Sequence, residues 1–250
     1  MSRAALAIAG REFRAYWDSP IAYVFLAIFS GVTASVFFDG GLGFPGFFAR
    51  QIADLRPLFV ALPMLFLVLV PLITMRLWAE ERRTGTEELL LTFPIRVRDA
   101  VVGKFLAAWA LLSTALALTL LITFTVAWLA SIPGSSLDLG PVLGGYVAAL
   151  LMGGAYLAIG LFVSAITQHQ IIAAVVSVFV LLLLFYIGDP EFLAALPEWL
   201  RAPCEAISTL PRFKGVSRGV LDLRDVAYYL SMMVVFLSAN GVVVDSRRWR

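Results

Sequence analysis

Six ionisable side chains crowd into the nine residues Glu80-Glu81-Arg82-Arg83-Thr84-Gly85-Thr86-Glu87-Glu88. Carboxylates interleaved with guanidiniums suit ion pairing and docking to a charged partner surface. Side-chain catalysis has little to draw on elsewhere: the single His169 makes neither a zinc site nor a histidine relay, and the single Cys204 has no disulfide partner. Nor does the chain carry a nucleotide-hydrolysing loop. A Walker A motif needs G-x-x-x-x-G-K followed by Ser or Thr. The one Gly-Lys pair, Gly103-Lys104, precedes Phe105 and has Arg98 in the first glycine's place. The charged run is thus read as a contact, and the question becomes what holds it.

The answer begins with composition. Hydrophobic residues make up 61% of the 250 and charged residues 14%, with a mean hydropathy of +0.91; soluble domains carry about a quarter charged residues. This is the composition of an all-α, polytopic membrane protein. A net charge of +2 is too small to argue for nucleic acid, and the basic residues flank apolar runs, where lipid headgroups and loop orientation account for them. Arg3, Arg11, Glu12 and Arg14 interrupt the N-terminus in a way a signal peptide does not, so no segment is expected to be removed.

A bilayer core takes roughly 20 apolar residues per helical crossing. Six stretches meet this: Ile21 to Phe38, Leu58 to Trp78, Val101 to Ser131, Val142 to Thr167, Ile171 to Ile187 and Val226 to Val244. The turn Gln168-His169-Gln170 joins the fourth to the fifth. Residues 3–18 form an interfacial helix, with Leu6, Ala9, Phe13, Tyr16 and Trp17 on one face and Arg3, Arg11, Arg14 and Asp18 opposite. The loop 188–224 is read as two short helices that dip into the outer leaflet or roof the bundle. The first starts at Asp189-Pro190, and Phe192, Leu193, Leu196, Trp199 and Leu200 give these helices something to bury. No repeat or linker divides the chain, so residues 1–250 are one transmembrane domain.

Lysine and arginine gather on the cytoplasmic side. With the N-terminus inside, that side holds Arg3, Arg11, Arg14, then Arg76, Arg82, Arg83, Arg96, Arg98 and Lys104, then Arg247, Arg248 and Arg250. Both termini then face the cytoplasm. Arg201, Arg212, Lys214, Arg218 and Arg224 fall outside and run against the rule, interleaved with Glu198, Glu205, Asp222 and Asp225.

The charged run thereby lies in the first inner loop, residues 79–94. Thr84-Gly85-Thr86-Glu87 has capping-box spacing, which predicts a helix that starts there, carries Leu89, Leu90, Leu91 and Phe93, and stops before Pro94. A loop obeying the charge rule needs only cations; carboxylates among them favour a protein partner.

These residues carry a resemblance. The segment "ITMRLWAEERRTGTEELLLTFPI" with the following "VVGKFLAA" is similar to the inner loop of ABC-2 type transporter permeases, and "SPIAYVFLAIF", "LRPLF", "GGAYLAIGLFVSAITQHQI" and "GVSRGVLDLRDVAYYLS" resemble the gliding-motility-associated branch of that family. The resemblance implies a bacterial inner-membrane permease half with six membrane helices, an N-terminal interfacial helix, a coupling helix after the second crossing and short re-entrant helices between the fifth and sixth. It implies a separate cytosolic ATPase dimer that binds ATP and Mg, this chain holding no cofactor itself. Glu80, Glu81, Arg82, Arg83, Thr84, Gly85, Thr86, Glu87 and Glu88 would meet that ATPase, and Gln168, His169 and Gln170 would form a second, smaller contact. A second permease half, identical or different, completes the assembly in the bilayer, for export or for transmitting force. Asn240-Gly241 interrupts the last crossing, where the pattern calls for unbroken apolar residues.

Two other readings use the same residues. An ion-coupled secondary carrier usually shows ionisable groups deep in its spans, whereas the centres of these six hold only Ser, Thr and Gly. A nonconducting scaffold subunit of a larger machine is the other. Gly153, Gly154, Ala158 and Gly160 supply close-packing spacing on the fourth crossing, for a helix inside this chain or a seam with a second half. Tyr16, Trp17, Tyr23, Trp78, Trp128, Tyr146, Trp199, Tyr228, Tyr229 and Trp249 lie near predicted membrane boundaries as anchors.

Overall fold

Apolar runs in a bilayer find no water for their backbones, so they close their hydrogen bonds internally as helices. The computed structural model is built of them almost throughout, and describes residues 2–41, 44–50, 52, 54–86, 96–132, 137–216 and 222–247. In chain order these are α1 (Arg3–Trp17), α2 (Pro20–Phe38), α3 (Phe47–Arg50), α4 (Arg56–Thr74), α5 (Ala79–Thr84), α6 (Val97–Ser131), α7 (Leu139–Ile166), α8 (Gln170–Tyr186), α9 (Pro190–Ala194), α10 (Glu198–Ile207), α11 (Leu210–Val216) and α12 (Leu223–Asp245). A two-residue ribbon, Gly40–Gly41 against Phe44–Pro45, follows α2.

Among the described residues five helical stretches are long and apolar enough to cross a membrane: Pro20–Phe38, Arg56–Thr84, Val97–Ser131, Leu139–Ile166 and Leu223–Asp245. The sixth apolar helix, α8, has 17 residues, about 25 Å at 1.5 Å per residue. At the charged end of the bundle lie α1, α5 and the start of α6; α9 to α11 lie at the other.

The post of the bundle is α7. Its most apolar window is 78% buried, against 28% for α2 and 22% for α12, because glycines let neighbours touch its backbone. A methyl group on Gly154 would sit 2.6 Å from Met233 Cε, one on Gly153 would collide with Leu112 of α6, and one on Gly160 with Thr74 of α4. With Ala158 also fully buried, these small residues pack helices within one chain. Leu121, Phe124, Val175 and Phe179, each more than 60% exposed, form part of an outward apolar band, which lipid suits.

Several local expectations shift. On α1 the buried line is Ala5, Ile8 and Tyr16, and Leu6 is 55% exposed. Facing α6 rotates the protein-packed stripe by about one residue from the sequence's apolar face, leaving Leu6, Ala9, Phe13 and Trp17 as a flanking stripe. Tyr16, Trp78 and Tyr229 are fully buried in protein, whereas Tyr23, Trp128 and Trp199 project outward. Trp249 lies outside the described residues.

The loop after α8 has three helices. Asp189 caps α9, accepting from the Glu191 N–H at 3.0 Å. Neither α9 nor α10 buries a residue, so Phe192 and Trp199 face outward. What enters the bundle is the next segment. Ser208 and Thr209 are fully buried, with Thr209 Oγ1 2.8 Å from the Tyr156 hydroxyl and its carbonyl accepting from Tyr229 at 3.0 Å. Asn240 is likewise fully buried, and α12 runs through Asn240-Gly241 without a break.

Candidate functional site

The charged run follows α4 through a turn that a single serine fastens. Ser164 Oγ on α7 accepts the N–H groups of Trp78 and Ala79, each at 3.2 Å, and donates to the Met75 carbonyl at 3.0 Å. Three backbone groups left over where α4 stops and α5 starts are thereby satisfied in the interior.

From this anchor α5 extends for six residues, with Glu80 and Glu81 in its first turn and Arg82 and Arg83 in its last, the order that complements the helix dipole. It ends at Gly85, whose φ of 73° is a left-handed cap open to glycine without steric cost. Thr84 is therefore the last residue of a helix and not the N-cap of the next: its hydroxyl donates to the Glu80 carbonyl at 2.9 Å. The expected capping partner Glu87, with Glu88 and the apolar residues up to Phe93, lies outside the described residues.

The described residues of the expected contact, 80–86, do not form one exposed face. Glu81 turns inward and Oε1 meets Lys104 Nζ at 2.6 Å; Glu12 Oε1 of α1 approaches the same ammonium at 3.4 Å. Only 1% of the Lys104 side chain is exposed, and its ammonium lies 5.0 Å from the Trp78 ring centroid. A buried cation needs such partners. Gly103 makes the approach possible, since a methyl group there would sit 2.8 Å from Ile8 Cγ2 and 2.9 Å from the Ala5 carbonyl. Farther along α1, Ser2 Oγ donates to Asp99 at 2.6 Å. Burial raises the proton affinity of Glu12, but Lys104 and Arg11 outweigh it and hold the carboxyl below its ordinary 4.5.

Arg82 also turns inward, donating to the carbonyls of Ala165 at 3.4 Å and Ile166 at 3.0 Å, and Arg247 reaches Ala165 from α12. Two guanidiniums thus serve the carbonyl end of α7. What faces outward is Arg83, Thr84, Gly85 and Thr86, with Gln168 and His169 exposed in the adjoining turn and Gln170 partly so. Glu80 is half-buried.

Lys104 was legible in the sequence only as a loop cation and a failed nucleotide motif. A lysine inside an otherwise apolar helix is the signal that marks it. Gly103-Lys104 sits within α6, a helical setting that provides no phosphate-cradling loop. Among the described residues no three His, Cys, Asp or Glu side chains gather as metal ligands would.

The model of the family described as ABC-2 family transporter protein matches residues 6–206, a stretch that includes most of α1, all of α5, Lys104 and Ser164. The chain belongs to the ABC-2 transporter family. No individually curated protein matches it. As an ABC-2 family member with several membrane-length helices, it is a multi-pass transmembrane subunit of an ABC transporter. ABC transporters work with an ATPase partner, and the family implies one for this chain.

Proposed function

We propose that this chain is a permease subunit driven by a separate cytosolic ATPase dimer, which pushes on the edge formed by α5 and the turn 168–170. One observation carries the reading: α5 is tied to α1 and α6 by the Glu81–Lys104–Glu12 cluster and to α7 by Ser164 and Arg82. A push on its exposed side therefore displaces three other elements together, as rigid-body alternation between two states requires. The charged end faces the cytoplasm by the lysine and arginine excess. A second permease half, identical or not, faces this one across the transport path, and the resemblance to the gliding-motility branch supports force transmission beside export. Glu87 and Glu88 supply the carboxylates of the contact.

The experiment is co-purification with a candidate ABC ATPase in nanodiscs. Arg83→Glu with His169→Glu is expected to abolish complex formation while the permease stays folded. Glu81→Gln is expected to keep the complex but lose stimulation of ATP hydrolysis. Full stimulation in both variants would overturn the reading, and uptake driven by an ion gradient without any ATPase would replace it with a carrier.

A further inference from the structure

Beside the charged end, an apolar groove of about 230 Å³ opens between α2 and α4. Its walls include Ile21, Val24 and Ile28 of α2 and Leu69 and Leu72 of α4; Tyr16 is the only lining side chain with a polar atom. Val24 is 54% exposed and Leu72 39%, so the groove opens sideways, toward the hydrocarbon of the leaflet adjoining the charged end. From Ile21 to Ile28 it follows two turns of helix, about 10 Å. An extended chain fits this shape, and a compact polar ligand does not.

Arg76 follows immediately on Met75 at the groove's polar end. It is half-buried, its guanidinium 5.2 Å from the Tyr16 ring centroid and its Nη2 3.5 Å from Ser19 Oγ. No carboxylate among the described residues lies within ion-pair distance of it. Arg76, Ser19 and Glu80 line a second cavity, of about 350 Å³. Glu80 stands one turn on from Arg76, its N–H bonded to the Arg76 carbonyl at 3.2 Å, and it too has no ion-pair partner among the described residues. Two opposite charges thus stand one helical turn apart without pairing, beside the polar end of the apolar furrow.

We propose that this place holds one phospholipid, with an acyl chain in the furrow, its phosphate on Arg76 and Ser19, and a headgroup ammonium on Glu80. A planar guanidinium suits a phosphate. Glu12 and Glu81 are spent on Lys104, so it is the carboxylate of Glu80, with no ion-pair partner among the described residues, that disfavours a headgroup that is only negative. The preferred lipid is therefore a phosphatidylethanolamine and not a phosphatidylglycerol. The site does not depend on how the chain is energised.

The test is native mass spectrometry of the full chain, delipidated in detergent and titrated with phosphatidylethanolamine, phosphatidylglycerol or diacylglycerol of matched chains. Phosphatidylethanolamine should bind tightest and diacylglycerol weakest. Arg76→Gln should weaken both phospholipids about tenfold, the scale of one lost charge-assisted hydrogen bond, and Arg76→Lys should recover part of that. Glu80→Gln should erase the preference between the two phospholipids. Val24→Trp, at an exposed position, should weaken all three by filling the furrow. Equal binding of the three lipids, or phospholipid binding unchanged in Arg76→Gln, overturns the proposal. So does efficient cross-linking between two copies through Ile28→Cys with lipid excluded, which would make a second permease half the occupant.

Discussion

Lys104 Nζ lies 2.6 Å from Glu81 Oε1, and 1% of the lysine side chain reaches solvent. That bond joins the first turn of α5 to the start of α6, and Glu12 adds α1 from the other side. The described part of the charged run therefore has two sides, an inner one that ties helices together and an outer one, Arg83 to Thr86, that is exposed.

Removing the cation exposes how much rests on it. Lys104→Met keeps most of the length of the side chain but leaves Glu81 without its cation and Glu12 with Arg11 alone, a loss of about 3–5 kcal/mol. At roughly 2–4 °C per kcal/mol for a chain of this size, the unfolding midpoint should fall by about 6–20 °C. Combining it with Glu81→Gln should recover much of that, since one uncompensated charge goes. A thermal melt of the purified variants in one detergent decides this, and a Lys104→Met midpoint within 2 °C of the parent would mean that the cluster carries no stability.

How far the sequence reaches can be judged on these same residues. The bundle was legible because apolar length is a one-dimensional signal: α2, α6, α7 and α12 begin and end within a few residues of the runs that predict them. Asp189-Pro190 marked a helix start because capping chemistry is local. Lys104 was not legible as a tie, since its partners stand 23 and 92 positions away and nothing local announces them. Thr84 misled for a related reason. Capping-box spacing does not say whether an earlier helix already owns the threonine, and here the helix from Ala79 does. The face of α1 was off by about one residue because an interfacial helix has two apolar neighbours, protein and lipid, and hydropathy does not separate them.

Ser164 gives a second test. Ser164→Ala strands the N–H groups of Trp78 and Ala79 in the interior, at about 1–3 kcal/mol for each unsatisfied group. Amide exchange at those two residues should quicken by an order of magnitude or more, with the middle of α4 unchanged. Unchanged exchange at both amides would show that other groups satisfy the turn.

The glycines of the bundle should divide sharply by what stands opposite. Gly160→Ala drives a methyl group into Thr74 and Gly154→Ala one into Met233, overpacking that costs about 1–3 kcal/mol. Of the two, Gly154→Ala is the milder, because a methionine tip bends away. Gly241→Ala meets nothing within 4 Å and gains up to about 1 kcal/mol of helix propensity. Melting the three variants side by side tests the packing of α7, and a destabilised Gly241→Ala would place an unseen neighbour against α12.

Acid should release α1 in a narrow and predictable window. Glu12 is held below its ordinary 4.5 in the folded chain by Lys104 and Arg11, against the opposing effect of burial. A carboxyl whose folded value is depressed contributes stability that is complete above the unfolded value and is lost as the pH falls through the folded one. The contribution of Glu12 to the docking of α1 should thus be complete above about 4.5 and be lost only below it, as followed by hydrogen exchange of the Ala5 to Phe13 amides. Glu12→Gln should dock less firmly at neutral pH and show a smaller acid step. Release well above pH 4.5 would instead implicate Glu81, whose carboxyl burial pushes above its ordinary 4.5 against the pull of Lys104, and would move control of α1 to the α5 side of the cluster.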